Sequence, residues 1–213
     1  MNPRVLLSLM VTLVVTLAVA AILALARPDA EQGTAAGVVS ASTPYAGATT
    51  PPAPAPEFRL RDQRGRETTI AQFRGRPLLV TFLYSHCQDT CPILARQIAG
   101  ALDQVGGRPL PVIIISVDPG GDTAESSQRF LNRMRLGGRA RFLLGDRARL
   151  APIWKAYGVQ PQGSGFDHSA KVFLLDGRGR QRVSFPVDQL TDDALAHDIG
   201  VLQAQDDGRA ASR

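Results

Sequence analysis

The stretch that most restricts the fold is Pro77-Leu78-Leu79-Val80-Thr81-Phe82-Leu83-Tyr84, an apolar, β-prone run that hands over within a few residues to a helical pattern. A short continuous apolar run bounded in this way reads as a strand buried on both faces. Such a strand needs a packed layer on each side of its sheet. At the handover stands Cys87-Gln88-Asp89-Thr90-Cys91-Pro92, which holds the only two cysteines of the chain. Side chains four apart on a helical turn share one face, and helix rise and radius put their Cα atoms about 6 Å apart. That spacing permits a disulfide and equally lets both sulfurs converge on one metal ion.

Strand and helix patterns then alternate. Ile93 to Val105 carries a helical stripe through Ile93, Leu94, Ile98, Ala101, Leu102 and Val105, and Leu110 to Val117 is a second buried strand. Gly120 and Gly121 turn the chain, and Thr123 caps a helix over Ala124 to Met134. A third strand (Arg141 to Leu144) and a further helix (Arg147 to Tyr157) follow. Lys171 to Leu175 and Gln181 to Phe185 flank the turn Asp176-Gly177-Arg178-Gly179, and a last helix is expected from about Thr191 to Gln205. Upstream, Phe58-Arg59-Leu60 and Thr68-Thr69-Ile70 flank a turn at Gly65 and form an opening hairpin. Together these predict a three-layer α/β sandwich of mixed strand direction over residues 57–205, enough chain for one sizeable core.

The flanks differ in composition. Val5 to Ala26 contains no charge, and as a helix it would measure about 33 Å, slightly more than the hydrocarbon core of a bilayer. Residues 1–27 are therefore read as a membrane anchor or signal segment. The run is longer than a signal core, which favours a retained anchor, although Ala18-Val19-Ala20 and Ala24-Leu25-Ala26 resemble cleavage sites. Either reading puts the remainder outside the cytoplasm. Residues 28–56, rich in Ala, Pro and Thr, read as a linker, and residues 206–213 as a disordered tail. The formal charge of +5 comes from dispersed arginines without interleaved aromatics, which argues against nucleic-acid binding.

A structural disulfide between Cys87 and Cys91 would close a loop too short to restrict the unfolded chain much, so redox exchange and metal binding are the stronger uses of the pair. A helix N-terminus favours the thiolate that both uses require. Of the three histidines, His197 lies among aspartates on the last helix, and His86 adjoins Cys87 with its side chain diverging from it. His168, in Phe166-Asp167-His168-Ser169 just before a strand, is the best third ligand. Two thiolates and one imidazole suit Cu(I) and, with added ligands, tolerate Cu(II), whereas structural zinc wants four ligands. Haem attachment needs Cys-x-x-Cys-His, which is absent, and a peroxiredoxin-like peroxidase would need a threonine three residues before its cysteine, where Thr90 directly precedes Cys91.

Three blocks resemble the Sco/SenC family: Thr81 to Pro92, then Ser116-Val117-Asp118-Pro119 with Asp122-Thr123, then Asp167-His168-Ser169 before Leu174-Leu175-Asp176. The resemblance covers about residues 57–205 and implies a thioredoxin-like fold preceded by a single transmembrane helix, in the inner membrane of a bacterium with the domain in the periplasm. It implies a copper metallochaperone that delivers copper to the binuclear centre of cytochrome c oxidase. The family's two thiol ligands carry over to Cys87 and Cys91, and its histidine ligand to His168. Implied partners are the oxidase's copper-bearing subunit and either a second periplasmic copper chaperone or a thioredoxin-like reductase. The resemblance also permits a thiol-disulfide reductase that keeps the client's cysteines reduced, with Cys87 or Cys91 attacking and the other resolving. Many members have proline where Gln88 stands, a change in loop stiffness that removes no ligand. No ligand role carries over to His86, Asp118 or Asp167, although the aspartates could orient His168 or hold the loops.

Overall fold

The computed structural model describes residue 16 and residues 44–106, 109–162 and 170–211. Eight strands form one sheet: β1 (Ala48–Pro54), β2 (Arg59–Asp62), β3 (Glu67–Thr69), β4 (Leu78–Leu83), β5 (Val112–Ser116), β6 (Ala140–Leu144), β7 (Lys171–Leu175) and β8 (Arg180–Pro186). Among the described residues of 44–211, the helices that accompany them are α1 (Thr90–Gln104), α2 (Ala124–Arg133), α3 (Arg147–Tyr157) and α4 (Asp192–Ala211). The strand order is β1-β8-β7-β4-β5-β6-β2-β3. The centre, β4-β5-β6, is parallel, and the remaining pairings are antiparallel. This is the mixed, layered sheet expected from the alternation of patterns, with β2 and β3 as the expected hairpin.

β4 sits in the middle and is buried along its whole length. Its side chains alternate as a strand requires. Leu79 and Leu83 join Val112, Ile114, Phe142 and residues of α1, α2 and α4 in one core. Val80 and Phe82 join Ile113, Ile115, Leu143 and residues of α3 in the other. Two cores, one per face, explain why β4 and β5 read as unbroken apolar runs rather than alternating ones. The arrangement also forces the end of β4 and the start of α1, where both cysteines lie, onto the C-terminal edge of the parallel strands.

Two expected boundaries are corrected. The linker was expected to extend to residue 56, yet Ala48–Pro54 is an edge strand on β8, paired Ala48 with Ser184 and Pro54 with Arg180. Proline cannot donate to a ladder but is tolerated at an edge, and the register is interrupted between Thr49 and Ala53, where Pro51 and Pro52 stand. Arg180 compensates by donating to the Pro52 carbonyl at 2.6 Å. Ahead of the strand, Asp198 on α4 accepts the Ala46 and Gly47 amides at 2.7 and 2.9 Å, and the Tyr45 hydroxyl donates to Gln205 at 2.8 Å. The second correction is at the other end: α4 continues through Ala211 instead of stopping at Gln205. Asp206 fastens this extension, accepting the Gly177 amide at 2.6 Å.

The expected transmembrane segment, Val5 to Ala26, and residues 28–43 of the expected linker lie outside the described residues, apart from Thr16. Among the described residues no helix is long and apolar enough to cross a membrane.

Candidate metal centre

After β4 the chain turns through Tyr84 to Gln88, with the Cys87 amide donating to the Tyr84 carbonyl at 3.4 Å, and enters α1. Asp89 stands at the N-cap but makes no side-chain cap. The role falls to Cys87, whose Sγ accepts the Cys91 amide at 3.2 Å. A helix start has free N–H donors, and this sulfur satisfies one of them. Both cysteines are free thiols; Cys87 is 7% exposed and Cys91 is fully buried. The two differ in consequence. Burial pushes the Cys91 thiol well above its ordinary range, the adjacent Cys87 sulfur adds to this, and a main-chain hydrogen bond with Tyr84 opposes it. The helix start therefore does not make Cys91 a ready thiolate: desolvation outweighs it.

Cys87 faces an open cleft of about 440 Å³ walled by Ser85, His86 and Gln88 of the turn, Pro92 and Arg96 of α1, and Arg133 and Met134 at the end of α2. His86 is exposed, with Nδ1 3.2 Å from the Ser85 hydroxyl, in keeping with its divergence from the sulfurs. His197 is likewise exposed on α4, with Nδ1 2.9 Å from Asp198.

Beneath the turn lies a polar network for which the motif reading had assigned no function. Asp122 accepts the Ser85 amide and hydroxyl, both at 2.7 Å, and the Ser116 hydroxyl at 2.5 Å. The Ser85 hydroxyl also lies 2.8 Å from Ser126 Oγ, which forms a reciprocal capping box with Thr123 at the start of α2. One carboxylate thus ties the end of β4 to the end of β5 and to α2. Its burial raises the Asp122 pKa, and the donated hydrogen bonds from Ser116 and Ser85 only partly oppose that. The signal was present in the sequence as Asp122-Thr123 and Ser126, a capping pattern beside a strand end. Asp118 holds its own turn, accepting the Gly121 amide at 3.0 Å. A Cβ at Gly121 would fall 2.2 Å from Asp118 Oδ2, so a larger residue there would have to displace the carboxylate that holds the turn.

Among the described residues no three His, Cys, Asp or Glu side chains gather as a metal-ligand group. His168, the expected third ligand, and Asp167 lie outside the described residues. The described flanks of that segment are well fixed. The Gln162 amide donates to the Val117 carbonyl just beyond β5, and β7 pairs Val172 with Thr81 of β4. Both flanks therefore reach the sheet edge that carries Cys87.

The SCO1/SenC family model matches residues 46–202, most of the chain and nearly all of the described fold. This chain belongs to the SCO1/SenC family. Among SCO1/SenC relatives, the protein SCO2 homolog of Bos taurus is 31% identical over 137 residues, 58% of this chain and 50% of the bovine protein. Protein SenC of Rhodobacter capsulatus is 30% identical over 128 residues, 56% of this chain and 57% of its own. The chain thus spans about half the length of these curated relatives. The structure of Bradyrhizobium japonicum ScoI with copper bound superposes with a TM-score of 0.60 at 31% identity, covering 70% of this chain and 99% of ScoI. BsSco, a member of the Sco family of cytochrome c oxidase assembly proteins in which a disulfide switch has been identified, shares the fold at 17% identity and a TM-score of 0.61, covering 71% of this chain and 94% of BsSco. The thioredoxin-like α/β fold expected from the sequence is the fold of these SCO1/SenC structures.

Proposed function

We propose that the domain is a copper metallochaperone that holds copper on Cys87, Cys91 and His168 and passes it to the binuclear copper centre of cytochrome c oxidase. The observation that carries this reading is the Cys91 amide bonded to Cys87 Sγ under an open cleft. It holds two soft donors together at the start of α1, one of them reaching the cleft, in a family that includes copper-bound ScoI. Such donors suit Cu(I). His168 is two residues from Ala170, so chain length alone keeps the two Cα atoms within about 7 Å of each other. Ala170 in turn precedes β7 at the edge that carries Cys87, which supports His168 as the closing ligand.

The roles of the two thiols differ. Cys91, buried and proton-bearing, gives up its proton when copper binds, because the cation supplies the countercharge that the apolar site lacks. Cys87, held by the helix amide and reaching the cleft, is the sulfur an incoming acceptor ligand meets first. In transfer, a bond from copper to the acceptor thiolate forms as a bond to Cys87 breaks, and a proton returns to the chaperone's thiols when copper has left. The oxidation state of copper does not change in this exchange. In the same reading, Val5 to Ala26 tethers the domain to the inner membrane of a bacterium, facing the periplasm.

The test is copper titration of the unit Thr43–Arg213, as wild type and as His168→Ala, alongside reduction of a disulfide substrate. One copper per domain, weakened by His168→Ala with thiol exchange retained, supports the chaperone. Disulfide reduction without tight copper binding would replace it with the thiol-disulfide reductase.

A further inference from the structure

We infer that the face around the cleft, built by the first turn of α1 and the last turn of α2, is the docking surface for a protein partner that presents carboxylates around an apolar recess beside its own metal ligands. The inference rests on the chaperone reading and adds the chemistry of the partner's surface to it.

Three observations converge on this face. Ile93, 52% exposed, is the large hydrophobic side chain left uncovered among the described residues, and it follows Cys91 and Pro92 on α1. An isolated exposed isoleucine needs no explanation by itself. Here, however, it follows Pro92, which lines the cleft, and stands three residues before Arg96 on α1. Arg96, one turn further along α1, and Arg133, at the end of α2, both line the cleft and are exposed. Among the described residues neither has an ion pair; Arg133 packs its guanidinium over the Phe130 ring at 6.0 Å. Other arginines on the domain do pair with acids, as in Arg66 with Asp62, Arg139 with Asp103 and Arg182 with Asp176. Two cations without an acid stand together at the thiol cleft. Asp89 is exposed on the preceding turn but does not line the cleft.

Burial supplies the third observation. With Cys91 fully buried and Cys87 7% exposed, the opening among the described residues through which an acceptor sulfur meets copper held there is the cleft lined by Arg96 and Arg133. Whatever takes the copper must cover this face while it does so. A partner with carboxylates at its rim is drawn in by both guanidiniums, and an apolar recess takes Ile93 out of water. Apolar contact at the centre with charge at the rim gives contact strength and fast encounter respectively.

The test uses the full detergent-solubilised chain and the soluble copper-bearing domain of the oxidase subunit. Metal-free association is measured first, then copper transfer from the loaded chain, in wild type, Ile93→Ser, Arg96→Glu, Arg133→Glu and the double arginine reversal. The expected result is that association and transfer both slow as salt rises towards about 0.5 M. The double reversal should weaken association roughly tenfold or more and flatten the salt dependence, while Ile93→Ser weakens it with the salt dependence retained. Copper affinity is read in each variant by chelator competition, so that a change in loading is separated from the change in metal-free association that decides the inference. Wild-type-like association by the double reversal overturns the inference, as does an absence of association by wild type. So does loss of binding to anionic lipid vesicles with oxidase-domain association intact. A wild-type chain that binds no copper overturns the chaperone reading instead, and the metal-free association still decides the docking face.

Discussion

The Cys91 amide donates to Cys87 Sγ across 3.2 Å, so the first thiol caps the helix whose first turn buries the second. This makes the two cysteines unequal in ways a spacing rule does not express. Replacing Cys87 by serine keeps an acceptor at the helix start, and serine is a good cap, so metal-free stability should hold or rise. Cys87→Ala removes the cap and should cost about 0.5–2 kcal/mol. Cys91→Ser puts a hydroxyl into a fully buried apolar position and should cost about 1–3 kcal/mol. Urea unfolding of the metal-free variants checks the order, and all three should lose tight copper binding.

The buried Cys91 thiol also sets an alkaline limit. Its folded pKa lies above its ordinary value, so the unfolded chain gives up this proton first as pH rises. The contribution to stability is complete below the ordinary thiol range and is lost above it. Metal-free wild type should therefore lose stability from about pH 8 to 10, by at most about 1.4 kcal/mol per pH unit from this group. Cys91→Ala should be less stable at neutral pH yet flatter across that window. Denaturation midpoints between neutral and alkaline pH decide the matter, and equal slopes would remove Cys91 as the cause.

Asp122 offers a separate test of the network under the site. Its carboxylate is held by Ser85 and Ser116 yet carries a raised pKa, because burial outweighs the hydrogen bonds. Its folded pKa exceeds the unfolded one, so its contribution is present at acid pH and lost as pH rises through the folded value. At neutral pH the charge is a cost and the geometry is the benefit. Asp122→Asn, which keeps an acceptor for Ser85 and removes the charge, should be neutral or stabilising at pH 7. Asp122→Ala strands the donors and should cost about 1–3 kcal/mol. Thermal melts of the two variants separate charge from geometry.

How much of this could be read from the chain depends on the length scale of the cause. Leu78 to Leu83 and Val112 to Ser116 were legible because burial on both faces leaves a local trace, an unbroken apolar run. Thr123 and Thr191 were legible as caps because capping is local chemistry; each hydroxyl accepts an amide three residues on. The cysteine pair was legible as a strand-to-helix handover, but Cys87 stands in the turn before α1 rather than on it, and the Cys91 amide bond to its sulfur sets the geometry. Long-range causes were not. Nothing near Ala48 to Pro54, with its prolines, announces a strand, since its partner β8 is more than a hundred residues away and its anchor, Asp198, is further still. The same holds for α4 beyond Gln205, which is kept by Gly177 and Tyr45. Asp122 was visible as a residue but not as a hub, because its partners Ser85, in the turn after β4, and Ser116, at the end of β5, are far apart in the chain.

The N-terminal strand gives the last expected outcome. If residues 44–56 were only a tether, a fragment beginning at residue 57 would be as stable as one beginning at residue 43. The contacts argue otherwise. Removing the segment takes away the Ala46 and Gly47 amides from Asp198, a fully buried carboxylate, and the Tyr45 hydroxyl from Gln205, and it bares the edge of β8. Each lost amide bond to the Asp198 carboxylate is worth about 1.5–3 kcal/mol, so the shorter fragment should unfold at clearly lower urea. A cycle with Asp198→Ala identifies the anchor. The substitution should destabilise the long fragment by a similar amount but affect the short one little, because there Asp198 is open to water. Equal losses in both fragments would mean that Asp198 supports α4 through His197 alone and that β1 is held by its ladder to β8.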